Sequence, residues 1–389
     1  MLKIFRNRLF LQSLIVFILL NIALYAWMDN FNKIVPFSSL DYTKGAYHYE
    51  IDPRVNSGSF SLLNALGQYD SQWHLKIAGE GYQSHPIKLK GIDKGVSYIF
   101  FPAFPIIVSV LNLMVKNLEL SAFIVTNTLL LLNFLSLYFV VSKWFSKKVA
   151  IKTIFLLFLF PFSIFFRSYY VEGLKLLFFI WFCFGIKEKK YFISAISLGF
   201  FTITNAISLF LLPYFLILIY SSYKKRELLP RKLFAYALIA VLPFCFWMGF
   251  SYIQTGNPLY FIVSGTAWYR PAIPILHNIA LLFLFPFLSL RSVYGSQIDV
   301  LAVVLTIIIA GLSKKMLPFR VWLATVILAF TPLFLQDTIS FARFTSVLFP
   351  FFAYLAYKMN NKYYFLCIFI FILGLLATSL LFINWYWIE

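Results

Sequence analysis

Long apolar runs separated by short polar stretches make up most of the chain. The first run extends from Leu9 to Trp27. Further apolar runs lie near residues 98–115, 121–142, 150–167, 173–186, 190–205, 207–222, 232–253, 273–290, 297–312, 319–335, 340–357 and 362–383. A helix that crosses a bilayer needs about 20 apolar residues, or about 17 at the short end. The pattern therefore predicts an all-α polytopic membrane protein, in which several of the shorter runs need not cross.

Lysine and arginine are concentrated in short loops between these runs. The basic loops are residues 143–152, 187–190, 224–232, 314–320 and 358–362. Cytoplasmic loops carry an excess of these residues, and placing all of these loops inside predicts about 11 transmembrane helices. The segment 98–115 is the predicted re-entrant one, because Pro102 and Pro105 interrupt it.

One long polar stretch, residues 29–97, follows the first run. Lys3, Arg6 and Arg8 precede that run, and no small-residue cleavage site follows it. We therefore expect a retained signal-anchor helix with its N-terminus in the cytoplasm. Seven acidic and seven basic residues cancel within 29–97, which predicts a long outer loop of the kind that carries function. The whole chain, 1–389, is predicted to form one integral-membrane domain.

The composition supports the membrane class and excludes others. The 389 residues are 61% hydrophobic and 12% charged, whereas soluble domains carry about 25% charged residues. The net charge of +19 resides in the short loops, which is the positive-inside pattern and not a nucleic-acid-binding patch. Membrane lipids are expected partners, and nucleic acid is not.

The sequence contains no pattern for a resident metal or nucleotide cofactor. The cysteines all lie inside apolar runs, at Cys183, Cys245 and Cys367. The histidines are scattered, at His48, His74, His85 and His277. The sequence lacks the Cys/His spacing of a zinc site, an Asp-x-Asp pair and a Gly-rich phosphate loop. We therefore expect neither a metal nor a cofactor.

The stretch from Tyr69 to Pro105 places one acid, Asp70, ahead of a short amphipathic run that Gly79 and Gly81 end. We interpret the run as a helix lying at the membrane surface. Two roles for the acid remain open. An acid before a helix can act as an N-cap. A carboxylate that is partly desolvated near a bilayer can instead have a raised pKa and act as a general base.

Two other segments place charges beside apolar runs, where charges are costly and indicate function. In Pro161–Lys175, Arg167 and Glu172 bracket two tyrosines. They form either a local ion pair in an aromatic belt or a substrate site. In a substrate site, Glu172 would orient an acceptor hydroxyl or Arg167 would bind phosphate. Later, Arg343 lies just inside an apolar helix with Asp337 nearby. Arg343 either pairs with Asp337 or binds phosphate, for which arginine offers bidentate geometry.

Aromatic residues near these turns are candidates for contact with a sugar. Gly256 and Pro258 form a predicted turn ahead of Trp268. Trp73 lies within the short amphipathic run and Tyr82 follows it. Their rings either stack on a sugar or occupy the membrane interface.

The chain resembles the PIG-V family through the ordered segments YDSQWHLKIAGEGY, FFPAFP, PFSIFFRSYYVEGL, TNAISL and ARFTSVLFP. These proteins are the second mannosyltransferases of glycosylphosphatidylinositol assembly and their prokaryotic relatives, within the GT-C glycosyltransferase superfamily. The resemblance covers most of the chain. It implies a GT-C-like bundle and an inverting glycosyltransferase. The donor would be a polyprenyl- or dolichyl-phosphate sugar, typically mannose, and the acceptor a lipid-linked molecule or glycan.

The resemblance also implies roles for individual residues. The catalytic base of the family falls on Asp70. A Tyr-Ser-Glu acid falls on Glu172, and a late arginine falls on Arg343. No metal is implied, because cations can stabilise a phosphate leaving group.

Two departures from the family pattern stand out. The usual tryptophan before the catalytic acid is Tyr69, which is a mild change. The usual Arg-Ser-Asn-Gly segment is residues 203–206, Ile-Thr-Asn-Ala, so Asn205 is present and the arginine is missing. Arg167, on a neighbouring outer turn, is the candidate replacement.

Two other functions remain open. A transporter or flippase would line a pathway with the intramembrane charges, although the inverted repeats typical of transporters are not seen in the sequence. The missing arginine also leaves an inactive GT-C-like scaffold open. The compact loops favour the bacterial plasma membrane, with the active site on its outer face.

Overall fold

The computed structural model describes residues 8–44, 49–82, 87–89, 92–94, 96–265, 274–290, 296–335 and 338–388. These parts are almost entirely helical. A short antiparallel hairpin pairs β1 (Ile87–Leu89) with β2 (Ile92–Lys94). The predicted all-α class is confirmed, with this hairpin as a small addition in the long polar stretch.

The first half of the chain carries a long helix, several short ones and then a run of packed helices. These are α1 (Arg8–Asn30), α2 (Ser39–Lys44), α3 (Pro53–Asn56), α4 (Leu62–Ala65), α5 (Asp70–Glu80), α6 (Ala103–Val115), α7 (Leu118–Trp144), α8 (Lys147–Phe158), α9 (Glu172–Lys187) and α10 (Tyr191–Thr202). Short 3₁₀ turns occupy Val96–Ile99 and Pro161–Phe166.

The second half is built in the same way. Its helices are α11 (Leu211–Lys224), α12 (Pro230–Thr255), α13 (Tyr260–Gly265), α14 (Pro274–Phe283), α15 (Gln297–Ser313), α16 (Phe319–Leu335), α17 (Phe341–Thr345), α18 (Phe349–Lys358) and α19 (Asn361–Ile383). Further 3₁₀ turns occupy Ala206–Phe210 and Phe285–Phe287. Gly256, with φ of 73°, ends α12 in the left-handed conformation, which confirms the predicted turn.

Five helical stretches among the described residues are long and apolar enough to cross a membrane. They are Arg8–Phe31, Leu118–Trp144, Ala206–Lys224, Pro230–Thr255 and Asn361–Ile383. The 23 residues of α19 extend about 35 Å, which exceeds the ~30 Å hydrocarbon core of a bilayer. Shorter apolar helices, among them α6 and α15, complete the bundle. The count of about 11 crossings and their orientation stay predictions.

The segment with two prolines is a short turn followed by one regular helix. Pro102 is the N-cap residue of α6, and Pro105 lies in its first turn. A proline in the first turn removes no helical hydrogen bond. The prolines therefore mark the start of a helix, and the interpretation that they break it is wrong. At 13 residues α6 extends about 20 Å, and its re-entrant position stays a prediction.

Helix α5 confirms the predicted end but not the predicted surroundings. It ends at Gly81, which has φ of 82°. The interpretation as a surface helix requires its polar face to be exposed. Instead Gln72, His74 and Lys76 are all buried, because neighbouring helices α6 and α7 pack around it. The helix is a component of the protein interior.

A close contact fixes the turn that precedes α9. The turn Pro161–Phe166 packs on α19 at Gly374, where an added Cβ would lie 2.6 Å from Pro161 Cγ. The hydroxyl of Thr378 donates to the Pro161 carbonyl at 2.6 Å. This contact requires glycine and anchors the chain immediately before the aromatic and acidic residues that begin α9.

Candidate active site

Charged side chains from three distant parts of the chain meet at one place. Arg343 Nη1 lies 3.2 Å from Asp70 Oδ2, and Arg343 Nε lies 3.6 Å from Glu172 Oε1. Lys175 Nζ lies 3.1 Å from the same Glu172 oxygen. We call Asp70, Glu172, Lys175 and Arg343 the charged cluster. It combines two carboxylates with two cations.

Helix α9 presents two members of the cluster on one face. Glu172 is its first residue and Lys175 follows three positions later, a spacing that places both side chains on the same side. Gly173 lies against α7, where an added Cβ would be 3.2 Å from Leu129 Cβ. Asn133 on α7 donates to the Gly173 carbonyl at 2.8 Å. The close packing of the two helices turns the charged face inward.

Arg343 is held by backbone and aromatic contacts. The preceding Ala342 N–H donates to Asp299 Oδ1 on α15 at 2.8 Å, which fixes the short helix α17. The guanidinium carbon lies over three aromatic rings at 5.1–5.3 Å, those of Phe165, Tyr170 and Phe344. Aromatic faces attract cations, so the rings and the carboxylates together orient the guanidinium.

Asp70 is the first residue of α5 and is not its N-cap. The N-cap is Tyr69, whose φ is 51°, and no side chain caps this helix. The Asp70 carboxylate instead accepts from Arg343, and its main-chain N–H donates to the Tyr170 hydroxyl at 3.3 Å. The N-cap interpretation is wrong, because the helix already begins at Asp70 and the N-cap position belongs to Tyr69.

Asp70 is the most exposed member of the charged cluster. Its side chain is 26% exposed, whereas those of Glu172 and Arg343 are 1% and 9% exposed. Protein nevertheless surrounds the carboxylate at longer range. Burial raises the pKa of Asp70, and the charge of Arg343 offsets this effect only in part. The carboxylate is therefore accessible and has a greater affinity for a proton than an ordinary aspartate.

His74, one turn along α5, is not positioned to act as the base. Its ring lies edge-on to Phe100 and Phe104, at 5.4 and 5.6 Å. Burial lowers the pKa of His74 to about 3. A histidine with so low a pKa stays neutral and is a weak base near neutral pH.

Arg167 lies outside the charged cluster. Its guanidinium donates to Asn21 Oδ1 at 2.8 Å, to the Ser163 carbonyl at 2.9 Å and to the Phe158 carbonyl at 3.2 Å. The side chain is buried, at 2% exposure. These bonds link α1 to the turn before α9, so the structure gives Arg167 a packing role and does not bring it to Asp70.

The other described candidates also have structural contacts. Trp73 is fully buried and stacks on Phe100 with ring centroids 5.7 Å apart, so neither face is open to a sugar. Tyr82 donates its hydroxyl to the Phe100 carbonyl at 2.6 Å and packs against Trp247. Asn205 caps the following 3₁₀ turn by accepting from the Ile207 N–H at 2.9 Å.

Trp268 and Asp337 lie outside the described residues. In the part of the chain that the structure describes, no group of three or more His, Cys, Asp or Glu residues could hold a metal ion.

Lys175 is the member of the cluster that sequence reasoning missed. It is 4% exposed in its side chain, and a buried lysine needs an anionic partner. The available signal was its position three residues after Glu172 in an apolar helix, because that spacing predicts an ion pair on one face.

No protein-family model and no curated protein matches the chain. Among solved structures, it is similar to the crystal structure of ArnT from Cupriavidus metallidurans bound to undecaprenyl phosphate. The TM-score is 0.51 at 12% identity, over 92% of this chain and 62% of that chain. The chain has an all-α membrane-protein fold similar to that of ArnT. It is an integral membrane protein. Its match covers 62% of the ArnT chain, about three-fifths of the length of that protein.

Proposed function

We propose that this chain is an inverting glycosyltransferase that takes a sugar from a polyprenyl-phosphate donor. One observation carries the proposal. A partly exposed carboxylate, Asp70, pairs with the buried Arg343, and the buried Lys175 belongs to the same cluster through Glu172. The likeness to a protein that binds undecaprenyl phosphate, a polyprenyl phosphate, supports the class of donor.

Asp70 is the proposed general base. The acceptor hydroxyl oxygen forms a bond to the anomeric carbon of the sugar while the bond from that carbon to the phosphate oxygen breaks. The hydroxyl proton moves to the Asp70 carboxylate, and the bonding electron pair leaves with the polyprenyl phosphate. Attack from the face opposite the leaving group inverts the anomeric configuration. The raised pKa of Asp70 suits this transfer.

Arg343 and Lys175 are the proposed phosphate-stabilising groups. Fixed cations that face developing negative charge stabilise a transition state, and they act most strongly where water is excluded. Both side chains are almost fully buried. Their charges replace the general acid that a poorer leaving group would need, so the proposed reaction uses no metal or other cofactor.

The ion pairs of the structure suggest how donor binding activates the base. Arg343 Nη1 pairs with Asp70, while its Nε lies 3.6 Å from Glu172. A donor phosphate competes for the same guanidinium. When Nη1 turns to the phosphate, Asp70 loses its neighbouring positive charge and its pKa rises further. Glu172 retains its contact and keeps the guanidinium in place.

The finer parts of the proposal rest on the resemblance to the PIG-V family. They are a mannosyl donor, a lipid-linked or glycan acceptor, and action on the outer face of a bacterial plasma membrane. The arginine that is missing near Asn205 is the departure that needs an explanation. Lys175, three residues after Glu172, is our proposed second cation in its place.

The test is transfer of radiolabelled mannose from polyprenyl-phosphate mannose in membranes that contain the protein. We expect a labelled lipid or protein product with wild type. Asp70→Asn should lower the rate about 100-fold or more, because a general base contributes roughly 10²–10⁴-fold. Glu80→Gln, an acid-to-amide change at the exposed far end of the same helix, should leave the rate near wild type.

Three outcomes would contradict parts of the proposal. Retention of more than about a tenth of the rate in Asp70→Asn would remove the base assignment. Transfer from a different polyprenyl-phosphate sugar would replace mannose but keep the reaction. A folded wild-type protein without transfer from any such donor would favour the transporter or the inactive scaffold.

A further inference from the structure

The residues after α19 enter the long polar stretch and bind it closely. Asn384 Nδ2 donates to the Asn32 carbonyl at 2.9 Å, and the Asn384 carbonyl accepts from the Ser38 N–H at 2.9 Å. We call Asn384–Ile388 the strap. It joins the end of the last described helix to the region that leads into Asp70.

The strap meets the residue that directly precedes Asp70. The Tyr69 hydroxyl donates to the main-chain carbonyl of Trp385 at 2.5 Å. Tyr69 and Trp385 are 2% and 1% exposed. Both have positive φ, 51° for Tyr69 and 63° for Trp385. Residues with a Cβ rarely adopt such angles, and they persist only where surrounding contacts impose them.

Trp385 is itself fixed by the polar stretch. Its main-chain N–H donates to Gln68 Oε1 at 3.2 Å, and its Nε1 donates to Asp52 Oδ2 at 3.0 Å. Gln68 also donates to the Ile383 carbonyl at 2.9 Å. Arg54 completes the contact by pairing with Asp52 at 2.7 Å and donating to Ile383. The carbonyl that accepts from Tyr69 therefore has a defined position.

From this geometry we infer that the strap positions the Asp70 carboxylate. The inference rests on the proposed function. The backbone angles of Tyr69 set the direction in which α5 begins, and Asp70 is its first residue. The Trp385 carbonyl holds Tyr69 in its strained conformation. Tyr69 and Trp385 are thus positioning residues, and neither touches the substrate.

The kinetic consequence is specific. Loss of the Tyr69–Trp385 bond lets Tyr69 relax towards negative φ, which rotates the start of α5 and displaces the carboxylate. A displaced base slows proton transfer and lowers kcat. Arg343 and Lys175 lie on other helices, so the KM for the donor should change little.

The first experiment is a double-mutant cycle with Tyr69→Phe and Asp70→Asn. Tyr69→Phe removes only the hydroxyl. In the wild-type background we expect kcat to fall about tenfold with donor KM within about twofold, as for a base that has lost its position. In the Asp70→Asn background the same change should have almost no further effect, because positioning matters only while the base is present.

Tyr214→Phe is the matched control. The Tyr214 hydroxyl also donates to a main-chain carbonyl, that of Arg320 at 2.7 Å, but it lies on α11 away from the charged cluster. This variant should leave kcat near wild type in both backgrounds. An equal loss of kcat from Tyr69→Phe in both backgrounds, or no loss in wild type, would overturn the positioning role. Full activity of Asp70→Asn would instead contradict the proposed function.

A second measurement tests the positioning role of Tyr69 and does not require catalytic turnover. Hydrogen exchange of the peptide covering residues 66–80 reports the opening of the start of α5. We expect at least a tenfold faster exchange there in Tyr69→Phe than in Tyr214→Phe, with similar melting temperatures for the two variants. Equal exchange in this peptide would show that the Trp385 carbonyl does not hold Tyr69, whatever the enzyme transfers.

Discussion

Arg343 contacts both carboxylates of the charged cluster and lies among three aromatic rings. Its planar guanidinium directs Nη1 to Asp70 and Nε towards Glu172. A lysine carries the same charge but cannot reach two anions in this way or stack equally well on rings. The shape of the side chain therefore matters here as much as its charge.

Arg343→Lys should raise the donor KM about tenfold, because a charge-assisted hydrogen bond contributes roughly 1.5–3 kcal/mol and about 1.4 kcal/mol is a factor of ten. The measurement is the donor KM of purified protein in detergent. Arg320→Lys is the matched control, since Arg320 donates to the Tyr191 hydroxyl at 3.0 Å, away from the cluster.

An unchanged donor KM in Arg343→Lys would remove this residue from the phosphate site. The same assay tests Asp337 as the alternative partner. Two other carboxylates already accompany Arg343, so we expect Asp337→Asn to have little effect on donor KM or thermal stability. Strong destabilisation by Asp337→Asn would restore the structural interpretation of this pair.

At the scale of elements, the contact between the strap and α3 depends on the charge of one carboxylate. Asp52 caps α3 by accepting from the Arg54 N–H at 3.0 Å and also binds the Arg54 guanidinium. Burial alone would raise the pKa of Asp52. The hydrogen bonds and charge of Arg54, with the bond from Trp385, outweigh burial and lower that pKa.

The lowered pKa predicts a contact that weakens in acid. A carboxylate with a lowered folded-state pKa stabilises the protein fully above its unfolded-state pKa of about 3.9, and the contribution is lost as the pH falls through the folded-state pKa. Asp52→Asn should therefore lower the melting temperature by several degrees at pH 7. The difference from wild type should shrink as the pH falls below about 4.

Melting temperatures of the purified protein between pH 7 and pH 3 give the comparison. Asp41→Asn is the control, because the Asp41 side chain forms no ion pair with any residue that the structure describes. A constant difference between Asp52→Asn and wild type across this pH range would contradict the account.

At the scale of the whole molecule, the distribution of charge predicts which loops share a face. The polar stretch 29–97 is neutral, whereas loops such as 224–232 are basic. The positive-inside rule places the polar stretch outside and the basic loops in the cytoplasm. The likeness to ArnT shows the fold. The orientation of the loops across the membrane is a prediction that labelling can test.

Cysteine labelling with a membrane-impermeant reagent checks the orientation in intact cells. The native cysteines are replaced first, at Cys183, Cys245 and Cys367. Asn56→Cys, at an exposed position in the polar stretch, should be labelled. Lys225→Cys should react only after the membrane is opened, because its loop is predicted to be cytoplasmic. Labelling of Lys225→Cys in intact cells would reverse the topology.

The sequence by itself determined the class of the molecule and most of its helices. Apolar length and composition depend on residues adjacent in the chain, and so they identify stretches such as α7, α12 and α19 without any tertiary information. The end of α5 was also readable, because Gly81 adopts positive φ there. Asp70, Glu172 and Arg343 could each be singled out, since charges beside apolar runs are costly.

Only the tertiary structure decided how these charges combine. Asp70 and Arg343 are 273 positions apart, and no local pattern states which helix faces meet. The same packing buried Arg167 against Asn21 and added Lys175 to the cluster. It also placed a carbonyl of Trp385 on Tyr69. Local periodicity determines where a helix forms. The pairing of its polar side chains depends instead on close packing between segments that are far apart in the sequence.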